Sequence, residues 1–135
     1  MRILSTKAHG ILDYLVGVIL IASPWVLGFA QNGAETWVPV ILGAGAIMYS
    51  LLTNYEMGVS KTISMRTHLA LDIASGILLA ASPWIFNFNE LVYLPHLILG
   101  LGEILVASIT ERFPSYDRNH RGSTGHSVNY RHQNV

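Results

Sequence analysis

The chain has 135 residues, 8 basic and 8 acidic side chains, no cysteine and a mean hydropathy of +0.42. Charged residues make up 12%, against roughly 25% in a soluble domain, too few to clothe a water-facing surface. This composition excludes a soluble enzyme domain, a disordered chain, a disulfide-stapled secreted module and a nucleic-acid binder.

Four apolar windows account for the deficit: residues 10–30, 36–55, 69–86 and 91–110. Together they hold 79 residues but only 3 of the 16 charged side chains, Asp13, Asp72 and Glu103. Each runs 18–21 residues, the length that crosses a hydrocarbon core of roughly 30 Å. The expected fold is all-α, a four-helix transmembrane bundle made of two tandem hairpins.

The first window has a basic approach (Arg2, Lys7) and a small-x-small end at Gly28-Phe29-Ala30, features shared with a cleavable signal. The same segment recurs inside the chain, where it cannot be a signal, so we read it as a retained helix. Lys61 and Arg66 lie between the second and third windows, and Arg112, Arg118, Arg121 and Arg131 follow the fourth. The two remaining loops carry Glu35 and Glu90 but no base. Basic segments stay inside, which puts both termini in the cytoplasm. Beyond residue 111 the chain is a polar tail with His120, His126 and His132, lacking zinc-ligand spacing. Such a tail suits contact with anionic lipid headgroups or with a protein partner.

Shifting the sequence by 59 residues lays Met1–Ala30 on Ser60–Asn89 with 11 identities in 30 positions. They include His9/His68, Asp13/Asp72, Gly17/Gly76, Ser23/Ser82, Pro24/Pro83 and Trp25/Trp84. The second helices correspond more loosely, Gly43-x-Gly45 falling on Gly100-x-Gly102 after one inserted residue. The repeats are expected to cover residues 1–59 and 60–111, with residues 112–135 as the tail. Because both enter the membrane from the same side, a pseudo-twofold along the membrane normal should relate them. On a helix, His9, Asp13 and Gly17 form one stripe, as do His68, Asp72 and Gly76. The glycines should allow close helix packing. Either the first and third helices meet face to face, or each stripe packs on its own hairpin partner near Gly43 or Gly100.

Two copies of His-x3-Asp followed by an apolar run and Ser-Pro-Trp resemble the SPW-repeat family of small bacterial and archaeal membrane proteins. The resemblance covers residues 1 to about 111. It implies two helices per repeat, with the tripeptide in the first, and a multi-pass protein of the prokaryotic cell membrane. It implies little chemistry.

The residues themselves leave several roles open. Ser23-Pro24-Trp25 and Ser82-Pro83-Trp84 suit a helix-ending interface anchor, the serine bonding a carbonyl that proline frees. The alternative is an aromatic binding surface on the outer side. His9-x3-Asp13 and His68-x3-Asp72 suit local hydrogen-bonded pairs. If the stripes meet, the same set suits a divalent transition metal or a proton site. Paired histidines at equal depth also raise haem ligation. Glu103 has no counterpart in the first repeat and should be protonated, partnered or facing a polar cavity, with His96 two turns away on the same face. No Walker loop, dinucleotide fingerprint, nucleophile elbow or zinc-protease helix is present in the sequence. The expected function is therefore a non-catalytic membrane accessory, scaffold or oligomeric subunit within the lipid bilayer. The alternative is a metal or haem site, or passage of a proton or small solute along the His/Asp stripes and Glu103.

Overall fold

The computed structural model describes residues 3–114, so Arg2 and the tail residues Arg118, Arg121, Arg131, His120, His126 and His132 lie outside the described residues. Four helices follow one another: α1 (Thr6–Val26), α2 (Ala34–Leu52), α3 (Met65–Ile85) and α4 (Leu94–Ile109). The first three are long and apolar enough to cross a membrane, and α4 is a shorter apolar helix. At 16 residues it is about 24 Å long. The protein is an all-α, multi-pass membrane protein.

The helix ends differ from the apolar windows because polar caps, not hydropathy, set them. Ser5 accepts from the amide of Ala8 at 3.2 Å and Ser64 from that of Thr67 at 3.1 Å, so α1 and α3 begin about a turn before their apolar runs. At the other ends, Pro24 and Pro83 do not stop the helices, which run on to Val26 and Ile85. Each missing proline amide leaves the carbonyl four residues earlier unbonded. Ser23 Oγ donates to the Leu20 carbonyl at 3.0 Å and Ser82 Oγ to that of Leu79 at 2.7 Å, filling both places. Termination comes a turn later, where Gly28 (φ 75°) and Asn87 (φ 58°) turn left-handed. That turn tucks Phe29 and Phe88 back into the protein, both buried. Trp25, Trp37 and Trp84 stay about half exposed at this end of the bundle, as interface anchors should.

Packing within each hairpin (α1 on α2, α3 on α4) is far more extensive than between hairpins, where α2 meets α3 and α1 grazes α4. Glycine makes the close seams. A Cβ on Gly17 would fall 3.1 Å from the Gly43 carbonyl oxygen, and one on Gly43 would fall 2.6 Å from that of Gly17. Gly76 and Gly100 repeat the arrangement at 2.7 and 2.5 Å. The stripes therefore pack on their own hairpin partners at the glycines. Gly45 and Gly102 do not belong to these seams. Two residues on, they are turned about 200° away around the helix, and a Cβ there would meet no atom within 4 Å.

At the basic end, short lead-in segments cross between hairpins. The stretch before α1 pairs with the stretch after α4 (Leu4 with Thr110), and that before α3 with the exit of α2 (Ile63 with Thr53). Backbone bonds fasten them, including Ile3 N to Ile109 O at 2.9 Å and Ile63 N to Leu52 O at 2.9 Å. Threonines 53 and 110 thereby sit directly beyond the first turns of α3 and α1.

Gly100→Ala should destabilise the bundle by about 1–3 kcal/mol, since the added methyl meets the α3 backbone at Gly76 and Ala80. Gly45→Ala should be neutral or slightly stabilising, because alanine is the better helix former and the space is open. Thermal melting of the purified protein in detergent checks both. Equal melting temperatures for the two variants would remove the glycine seams as the basis of hairpin packing.

Candidate metal centre at the hairpin junction

His9 and Asp13 occupy the first two turns of α1, and His68 and Asp72 those of α3. The hairpins meet here, and the four side chains form one cluster buried among apolar helices. His9 Nε2 lies 3.2 Å from His68 Nε2. Each imidazole reaches both carboxylates. From His9 Nε2 the distances are 3.2 Å to Asp13 and 3.0 Å to Asp72; from His68 Nε2 they are 2.9 and 3.3 Å. The cross-hairpin contacts are thus slightly shorter than those within one helix. One ligand atom from each of the four residues lies within 4.8 Å of all the others.

The threonines decide where the histidine protons are. Thr53 Oγ1 donates to the Tyr49 carbonyl at 2.6 Å, and Thr110 Oγ1 to the Val106 carbonyl at 2.6 Å. A hydroxyl has a single proton. The remaining contacts, Thr53 Oγ1 with His68 Nδ1 at 2.8 Å and Thr110 Oγ1 with His9 Nδ1 at 2.9 Å, must therefore be donated by the imidazoles. Both rings carry a proton on Nδ1 and turn Nε2 inward. Besides the imidazoles, two side chains of α2 orient the carboxylates. Tyr49 Oη donates to Asp72 Oδ1 at 2.6 Å, and Ser50 Oγ to Asp13 Oδ2 at 3.2 Å.

Beside the cluster lies a chamber of about 270 Å³. His9, Asp13, Asp72, Tyr49 and Glu103 supply its polar wall, and apolar residues of α1, α2 and α4 the rest. Glu103 is not part of the cluster. It faces the chamber and lies 3.3 Å from Ser75 Oγ, which also reaches the Asp72 carbonyl at 3.1 Å.

His96 is not brought to Glu103. Pro39 inside α2 has no amide for the Glu35 carbonyl, and His96 Nε2 donates to that oxygen at 3.0 Å from the other hairpin. Phe29 and Phe88 flank its ring at 5.4 and 5.0 Å. His96 thus fastens the tryptophan-bearing end. A haem between His9 and His68 does not suit the cluster either. Axial imidazoles approach from opposite faces of a macrocycle, whereas these two nitrogens touch each other and the same carboxylates.

Sequence reasoning missed Tyr49, Ser50, Thr53, Ser75 and Thr110. A signal existed for the threonines: the 57-residue offset that pairs Gly43 with Gly100 also pairs Thr53 with Thr110. Tyr49 and Ser50 had none, since the same offset lays them on Val106 and Ala107.

No curated protein and no solved structure matches the chain. The family model described as the SPW repeat domain matches residues 7–110, a stretch that includes both His/Asp pairs, both Ser-Pro-Trp motifs and the two threonines. The chain belongs to the SPW repeat family.

Proposed function

We propose that the chain is a non-catalytic membrane protein that holds a divalent transition metal between its two hairpins, at His9, Asp13, His68 and Asp72. One observation carries this reading: each Nδ1 is engaged by a threonine oxygen, which leaves two Nε2 atoms facing each other at 3.2 Å. As neutral rings they would set lone pair against lone pair and against two carboxylates. A cation removes that repulsion. One donor atom from each of the four residues lies within 4.8 Å of the others, close enough for one ion to bond all four at about 2.0–2.2 Å after small side-chain shifts. The donors are nitrogen and oxygen only, a set suited to zinc and its borderline neighbours. Thr53 and Thr110 act as the outer partners that fix ring orientation in such sites. The chamber gives an approach to the centre, and Glu103 on its wall offers an arriving cation a further carboxylate. Together with the crossed lead-in segments, the metal clasps the two hairpins at this end.

The same geometry favours a second state, in which protons replace the metal on both Nε2 atoms and two imidazolium–carboxylate pairs form. Metal and protons compete for the same lone pairs, so metal binding should weaken as pH falls.

Titration of chelator-treated protein with zinc, followed by calorimetry, should show a single ion bound per chain. Cobalt(II) should give the strong visible bands of tetrahedral coordination. His68→Ala should abolish uptake, and Asp72→Asn should weaken it with helical content retained. A folded wild-type protein that takes up neither ion would overturn the metal centre and leave the protonated pairs.

Thr110→Val, which removes the acceptor on His9 Nδ1, should weaken metal binding roughly 10- to 100-fold. The metal-free variant should be less stable by about 1–3 kcal/mol, because His9 Nδ1 loses its acceptor, so affinities are compared on protein of matched helical content. Unchanged affinity in this variant would show that the threonine does not orient the ligand.

A further inference from the structure

The basic end carries a second pocket, on the outer surface of the α3–α4 hairpin, that shares no residue with the metal centre or its chamber. Its volume is about 300 Å³. Arg66 and Arg112 stand at its mouth, and Leu69, Ala70, Ile73 and Ala107 form its floor. From Arg66 to Ile73 the floor descends α3 by about 10 Å, from the polar boundary into the apolar part of the helix.

Both arginines are exposed, and no ion pair of either is seen among the described residues. Arg66 is held in place by its guanidinium lying 4.9 Å from the centre of the Phe113 ring. The first turn of α3 contains no acidic residue, so the positive end of that helix adds to the field. Two guanidiniums present planar donor forks of the shape that grips phosphate. A soluble anion would use the arginines and leave the apolar floor bare to water. A molecule with a phosphate at one end and hydrocarbon at the other covers both.

We infer that this pocket binds an anionic glycerophospholipid, its phosphate between Arg66 and Arg112 and the start of an acyl chain along Leu69 and Ile73. The bilayer surrounding the helices supplies this ligand at high local concentration, in the leaflet that meets the basic end. The bound lipid bridges the start of α3 to the exit of α4, so it braces the second hairpin just outside the centre.

Native mass spectrometry of the detergent-purified protein tests this with added phosphatidylglycerol and phosphatidylcholine. One phosphatidylglycerol should persist on each chain where phosphatidylcholine is stripped. The Arg66→Ala/Arg112→Ala double variant should lose roughly tenfold or more of that retention, about 1 kcal/mol being expected per arginine. Because both side chains are exposed, its helical content and zinc uptake should match wild type. Equal retention of the two lipids, or of phosphatidylglycerol by wild type and the double variant, would overturn the site. Displacement of the lipid by inorganic phosphate would assign the pocket to a soluble anion and overturn it as well.

Discussion

Thr53 and Thr110 each commit their only hydroxyl proton to a carbonyl one turn back in their own helix, and the arrangement of the junction follows from that. Each oxygen can then only accept, each imidazole must donate from Nδ1, and each Nε2 faces inward with the carboxylates around it. In water such a chain of constraints would be loose, because solvent can stand in for any partner. Among buried apolar helices no such substitute is at hand, and an unpaired polar group is costly. The cluster therefore has few alternative arrangements, which is the condition for a selective site.

The glycine seams set the frame in which this works. Backbone-to-backbone contact at Gly17–Gly43 and Gly76–Gly100 makes each hairpin a tightly joined pair. Between the pairs, polar bonds take over from packing. At one end they are the His/Asp contacts and the crossed lead-in segments; at the other, His96 donates to the carbonyl that Pro39 frees. Proline in α2 thus acts less as a defect than as an opened acceptor, used by a side chain 61 residues away. The Ser-Pro pairs show the local version of the same device, in which serine replaces the missing amide inside its own helix.

Much of this was legible in the sequence, for specific reasons. Hydropathy marked the spans because a bilayer tolerates few charges, and the 59-residue repetition picked out His9, Asp13, His68 and Asp72. Helix ends were less legible, since they rest on caps such as Ser5 and on left-handed turns such as Asn87, which a hydropathy window does not see. The role of Glu103 was readable from cost alone: a membrane carboxylate needs a partner or a cavity, and it has Ser75 and the chamber. His96 was misplaced because helical phase put it on the face of Glu103. Its bond to Glu35 depends on how α2 lies against α4, and no periodicity within one helix contains that. Tyr49 and Ser50 escaped for a related reason. They orient the carboxylates from one hairpin only, so the repeat offered no matching pair to notice.

The crossed lead-in segments have a consequence for biogenesis. Thr110 follows His9 by 101 residues, and the segment before α1 is held by the one after α4. When the first hairpin leaves the insertion machinery, His9 and Asp13 have each other but neither the opposite imidazole nor the threonine that aligns the ring. The second hairpin, when it arrives, brings His68 and Asp72 to a waiting half, and only the final residues of α4 complete the bonds to His9. The junction is therefore completed late, once the chain has been made as far as Thr110. A chain truncated before Thr110 would retain its glycine-packed first hairpin while lacking the bond that aligns His9.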